Sequence, residues 1–171
     1  YEYGSALWLS HLFHEWGVEP GDLWWAMVNE TAENEPDVWD AVHFLTGDAD
    51  AALVRFSIER GRIGRSDAAD WLQDLDADVR IQGEIDELDK VYRPAQLVQD
   101  LGAAFFDVHL EGSYFLRHDA DPDTRWRVVD LDTGEELNLE ANPVLNGARR
   151  VAWVNVGPAD LDVDAHCEAY C

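Results

Sequence analysis

The chain has 171 residues, enough for one substantial hydrophobic core or two small ones, and 47% of them are hydrophobic, as in ordinary globular proteins. Thirty-six acidic residues against twelve basic ones give a formal net charge of -24, which opposes contact with nucleic-acid phosphates and anionic lipid headgroups. No run approaches the roughly 18 apolar residues of a membrane span, so composition argues against direct nucleic-acid binding and against a membrane role.

The balance of charged residue types indicates adaptation to concentrated salt. Lys90 is the only lysine beside eleven arginines, and the acidic residues are spread along the whole chain. Their mutual repulsion acts over about 10 Å at 0.1 M salt but only about 3 Å at 1 M. The composition resembles that of the average protein of an extreme halophile. It predicts a location in the cytoplasm of a high-salt organism or in a virion, with cations bound diffusely at the acidic surface.

The first hundred residues carry the apolar spacing of helices. Leu9, Leu12, Phe13 and Trp16 follow the i, i+3, i+4, i+7 pattern of one helical face within residues 5–16. A turn at 20–22 predicts a second helix that extends to about residue 30. Further helices are expected over 36–47, over 48–61, from about 66, around 85–92 and around 97–101.

After Gly102 the pattern changes to short extended runs at 104–110, 113–117, 125–131, 135–139 and 151–156. Glu111 and Gly112 fit a tight hairpin, and residues 132–134 fit another, which favours sequential antiparallel pairing. We therefore predict an α+β fold in one compact unit. It comprises a helical bundle-like region at 1–102, a small antiparallel β meander at 103–158 and an acidic C-terminal tail at 159–171.

Three histidine- or aspartate-containing groups are candidate metal sites. His11, His14 and Glu15 are expected on the exposed face of the first helix, but their order differs from that of known helical zinc motifs. Asp119 and its neighbours Asp121 and Asp123 begin like a calcium-binding loop, although the glycine that such a loop requires is absent. Recurrent Asp-x-Asp runs elsewhere favour simple solvation of these carboxylates.

The third group lies at the C-terminus. His166, Cys167 and Cys171 bring three zinc-type ligands within six residues, and His109, His118 or an aspartate would have to provide the fourth. The alternatives are a frayed terminus or a local disulfide. Because the chain has only these two cysteines, no disulfide framework holds the fold. We expect no cofactor other than zinc at this position.

Four of the twelve basic residues cluster around one predicted turn, at Arg55, Arg60, Arg62 and Arg65. Arginine binds carboxylates and phosphates through paired hydrogen bonds, so this cluster is a candidate contact for an acidic partner, a neighbouring subunit or a nucleotide. The alternative is internal pairing with nearby acids, which are Asp48, Asp50, Glu59, Asp67 and Asp70.

Eight tryptophans are an unusually large share for a chain of this length. Trp24 and Trp25 are adjacent in the second predicted helix, so they cannot both point at the same core. Since tryptophan is a frequent anchor of protein interfaces, this pair predicts a subunit contact or a helix that is buried on all sides.

The sequence has no phosphate-binding glycine loop, nucleophile elbow or Cys-His nucleophile arrangement, so an enzyme is the less favoured interpretation. The leading hypothesis is a non-enzymatic interaction or structural protein, for example a subunit of a virus particle, that binds a protein partner or forms a homo-oligomer. A DNA-mimicking inhibitor, whose carboxylates imitate a duplex, is the first alternative. A zinc-dependent enzyme is the second.

Overall fold

A computed structural model gives the structure of the protein for residues 2–30, 38–73, 81–93, 98, 101–119, 125–157 and 164–169. Side chains are described within these ranges except at 2–5, 119, 164–167 and 169. The predicted α+β class is confirmed, because helices come first along the chain and mostly antiparallel sheets follow. In the described part of the chain, no helix combines the length and the apolarity that crossing a membrane would require.

The helices are α1 (Glu2–Trp16), α2 (Pro20–Asn29), α3 (Val38–Thr46), α4 (Ala49–Arg62) and the short α5 (Asp70–Gln73). Local signals set the end of α3 and the beginning of α4. Gly47 has a φ of +80°, which favours glycine and ends α3. The side chain of Asp48 accepts a hydrogen bond from the backbone N of Ala51 at 3.0 Å and so caps α4.

The contacts divide the chain into two compact units, Tyr1–Phe56 and Ser57–Cys171, so the division falls inside α4 and not near residue 102. The first unit is helical. Its core is made of small and branched side chains, namely Leu12, Val18, Leu23, Ala26, Ala41, Val42, Ala49 and Ala52. Tryptophan side chains pack around this core, among them Trp8, Trp16 and Trp39.

The second unit contains two sheets. The larger sheet has the order β1-β2-β7-β4-β5, with β1 (Gly83–Ile85), β2 (Ala103–Val108), β7 (Arg149–Asn155), β4 (Trp126–Asp130) and β5 (Glu135–Leu137). The smaller sheet has the order β6-β3-β8, with β6 (Val144–Asn146), β3 (Ser113–Asp119) and β8 (Asp164–Ala169). β1 and β2 are parallel, and all the other pairs are antiparallel.

The two sheets share one hydrophobic core. Phe106 and Trp153 of the larger sheet pack edge to face at 5.1 Å, and Tyr114 and Leu116 of the smaller sheet belong to the same buried cluster. The indole Nε1 of Trp153 donates a hydrogen bond to Nδ1 of His118 at 3.2 Å, which joins the sheets through polar atoms as well. This arrangement buries the apolar side of each sheet against the other.

Two local predictions are wrong. Glu111 and Gly112 do not form a hairpin, because β2 and β3 lie in different sheets that share one hydrophobic core. The helix expected around 85–92 is a strand followed by turns, since Ile85 pairs with β2. The hydroxyl of Tyr92 accepts hydrogen bonds from the backbone N of Asp86 and Glu87, which fixes that turn.

The segment predicted as an acidic tail contains β8, which pairs antiparallel with β3. β6 was also not predicted, and it is only three residues long. The hairpin predicted at 132–134 is confirmed, because β4 and β5 pair on either side of it and Gly134 has a φ of +76°. Most of residues 97–101, where a last short helix was expected, lie outside the described residues.

Candidate interaction surface

Helix α2 exposes three large apolar side chains on one face. Trp24 is 69% exposed, Trp25 52% and Val28 59%. Successive residues of an α-helix are rotated by about 100°, so these three side chains occupy roughly 100° of the helix circumference. Leu23 and Ala26 point the other way and are buried in the core of the first unit. The predicted divergence of the two adjacent tryptophans from a single core is therefore observed, with both of them at the surface.

Helix α3 extends this face with a third aromatic ring. Phe44 is 51% exposed, and its ring centroid lies 6.4 Å from that of Trp25. Ala41 and Val42 of the same helix are buried. Trp24, Trp25, Val28 and Phe44 are hereafter called the α2–α3 apolar surface.

Large apolar side chains at the surface are concentrated in the first unit. Among the described residues ten are exposed, and the seven in the first unit are Leu9, Phe13, Trp24, Trp25, Val28, Val38 and Phe44. Scattered exposed hydrophobic residues are normal, but a contiguous patch on a soluble domain is a marker of an interaction site. The first unit therefore carries the strongest candidate for a contact surface in the described part of the chain.

The first unit is strongly acidic, although it carries this apolar surface. Residues 1–56 contain eleven acidic residues and one arginine, Arg55, which gives this segment a formal charge of -10. The guanidinium of Arg55 lies 2.7 Å from the carboxylate of Glu15, so even this cation has an acidic neighbour. Any partner of the first unit must tolerate or neutralise this negative charge.

The prediction that the histidines of α1 lie on its exposed face is wrong for His11 and confirmed for His14. His11 is buried, and its ring stacks on Trp8 at 5.6 Å and lies 5.4 Å from Phe56, whereas His14 is exposed. The other side of the helix is the one that faces solvent, with Leu9 among its exposed residues. The physical reason is that α1 is apolar on two faces, so its period alone does not decide which face is buried.

Two arginines of the predicted cluster make contacts within the second unit. Nε and Nη2 of Arg65 bind the two oxygens of Asp67 at 2.8 and 3.3 Å, and Nη2 also binds Asp132 at 2.7 Å. Nε of Arg62 donates to the backbone oxygen of Leu131 at 2.9 Å and lies 3.6 Å from Asp67. The internal pairing that the sequence offered as an alternative is thus present at these positions.

The surroundings of the cluster also shift its protonation equilibria. The hydrogen bond from Arg65 lowers the pKa of Asp67, and the same contact raises the pKa of Arg65. Arg60 lies with its guanidinium carbon 5.6 Å from the ring centre of Phe105, and burial lowers its pKa. Arg60, Arg62 and Arg65 thus already contact groups of the second unit. The α2–α3 apolar surface is therefore the better candidate for contact with a partner.

Of the predicted metal ligands of the C-terminus, His166 and Cys167 lie in β8, and only their backbone is described. In the register of the smaller sheet, His166 pairs with Arg117 and Cys167 with Leu116, while Cys171 lies outside the described residues. Residues 120–124, which include most of the calcium-like run, lie outside them too. Where side chains are described, no group of three or more His, Cys, Asp or Glu residues is placed to hold a metal ion.

The sequence predicted two members of the α2–α3 apolar surface, Trp24 and Trp25, but not Val28 and Phe44. The exposure of Phe44 could have been predicted, because its position in α3 lies outside the apolar face formed by Val38, Ala41 and Val42. Val28 continues the apolar run of α2, so the sequence alone does not distinguish it from a core residue. No protein-family model matches the chain, and no curated protein matches it either.

Proposed function

We propose that this chain is a non-enzymatic interaction protein that serves as a subunit of a larger assembly in concentrated salt. The observation that carries the proposal is the α2–α3 apolar surface, which presents three aromatic rings and a valine to solvent. Tryptophan and phenylalanine bury much apolar area with few rotatable bonds, so they lose little entropy in a contact.

The charge supports the salt condition of this proposal. Repulsion between carboxylates at a net charge of -24 opposes assembly in dilute buffer, and molar salt screens that repulsion. Apolar contacts are not screened in this way. A chain that combines an apolar contact surface with an acidic exterior is therefore suited to assembly in brine.

Site-specific photocrosslinking tests the proposal. Trp24 is replaced by the photoreactive amino acid p-benzoylphenylalanine, and the chain is irradiated in an extract of its natural source at the native salt concentration. The matched control places the same amino acid at Leu88, which is also exposed but lies in the second unit. We expect a discrete crosslinked product from position 24 and none from position 88. Equal or absent crosslinking at the two positions would overturn the proposal.

A further inference from the structure

The α2–α3 apolar surface has the area that the centre of a dimer interface needs. With about 150–250 Å² for each large aromatic side chain, the exposed fractions of its three rings and of Val28 correspond to roughly 350–500 Å². A two-fold contact in which the surface meets its own copy buries up to about 1,000 Å² through these residues, which is the lower limit for a specific interface. We infer that this surface binds the same surface of a second copy of this chain in concentrated salt.

The inference rests on the proposed function and names the partner of the same site. In a two-fold contact, Trp24 and Trp25 of both copies lie in one shared interface, where aromatic rings pack edge to face or offset. Trp24 is the most exposed of the four residues, so it has the most area to lose on contact. A pair of copies buries all four apolar side chains without any additional component.

The charges at the two ends of α2 determine how this contact responds to salt. Glu19 and Asp22 at its beginning and Glu30 just after its end are exposed. Two copies bring these carboxylates toward each other, so the dimer is weak in dilute buffer and tightens when salt shortens the range of their repulsion. A basic partner protein gives the opposite dependence, because salt weakens attraction between opposite charges.

Sedimentation velocity of the purified chain across a range of KCl concentrations tests the inference. We expect the dimer dissociation constant to fall by about tenfold or more between 0.1 and 2 M KCl. Trp24→Gln should weaken the dimer about 30-fold at 2 M KCl, as expected for a central tryptophan anchor. The control Leu88→Gln removes another exposed apolar side chain, one in the second unit, and should leave the constant within about twofold.

Circular dichroism shows whether the variants keep the helix content of the wild-type chain. A chain that stays monomeric at 2 M KCl, or a dimer that Trp24→Gln leaves intact, overturns the inference. These results do not overturn the proposed function if position 24 still crosslinks to a different protein in the extract. If position 24 crosslinks to nothing and the purified chain is monomeric, both proposals are wrong.

Discussion

Asp107 and Arg150 pair directly across β2 and β7, and their side chains form two parallel hydrogen bonds. Nε of Arg150 lies 2.6 Å from Oδ1 of Asp107, and Nη2 lies 3.0 Å from Oδ2. The backbone oxygen of Gly61 accepts a third contact from Nη1 at 3.4 Å. One arginine thus links two strands of the larger sheet and the end of α4. A lysine could not form this bidentate hydrogen bonding to the carboxylate.

Asp107→Asn should therefore destabilise the second unit by about 1–3 kcal/mol, because it leaves a half-buried guanidinium without its counter-charge. The two side chains are only 23% and 22% exposed. Urea unfolding at constant salt measures the loss. The control is Glu136→Gln, which breaks the ion pair between Glu136 and Arg127. These two side chains are 41% and 38% exposed. That change should cost less than about 1 kcal/mol. Equal losses in the two variants would contradict the expectation.

Gly61 should not tolerate a side chain, although it lies in a helix. Replacing a helical glycine by alanine normally stabilises a helix by up to about 1 kcal/mol. At Gly61 a β-carbon would overlap Cδ1 of Leu131 and come within 3.0 Å of the Phe105 ring. We expect Gly61→Ala to lower the free energy of unfolding by about 1–3 kcal/mol.

The matched control for this prediction is Gly21→Ala in α2, where a β-carbon would meet nothing within 4 Å. That variant should be neutral or slightly stabilising. Thermal unfolding monitored by circular dichroism compares the two. If both variants have the same melting temperature as the wild-type chain, α4 does not pack closely against Leu131 at Gly61.

The sequence predicts local structure better than pairing in this protein. Helices α1 to α4 and five of the strands are predicted from apolar spacing and from turn residues, since both signals act over a few neighbouring positions. The separation of β2 from β3 is not predictable in this way. A short turn at Gly112 is compatible either with a hairpin or with a crossing to another sheet, and the shared core determines which of the two forms.

The same limit applies to the candidate surface. Two adjacent tryptophans in one helix point about 100° apart, so helix geometry alone shows that they do not both face a single core on one side of the helix. The ring contact between Trp25 and Phe44 depends on how α2 packs against α3, which is tertiary information. For His11, the sequence shows a polar residue among apolar ones, and only the packing of Trp8 and Phe56 explains why it is buried.

Asp67 should make the stability of the second unit sensitive to acid. Its pKa is lowered in the folded chain by the hydrogen bond from Arg65, so the contact stabilises the fold above the pKa of the unfolded state. The contribution is lost as the pH falls through the lowered pKa. Because the Asp67 side chain is 41% exposed, the contribution should be less than about 1 kcal/mol.

Asp67→Asn is therefore expected to reduce stability at pH 6 and to matter less as the pH falls toward about 2. Urea unfolding at several pH values measures this difference. In an Arg65→Gln background, the Asp67→Asn change should have a smaller effect, because only the contact with Arg62 at 3.6 Å remains. A difference that stays constant with pH would show that Asp67 acts through packing and not through its charge.

The acidity of the chain predicts that its stability depends on salt. With 36 acidic and twelve basic residues, repulsion acts against the folded state in dilute buffer and is screened at molar concentrations. We expect the melting temperature to rise by about 10 °C or more between 0.1 and 3 M KCl. At about 2–4 °C for each kcal/mol in a chain of this size, this rise corresponds to roughly 3–5 kcal/mol of relieved repulsion. Sucrose strengthens burial without screening charges, so it is the matched control and should give a smaller rise. An unchanged melting temperature in KCl would contradict salt adaptation and would favour the DNA-mimic alternative, because a mimic from an ordinary host must fold at low ionic strength.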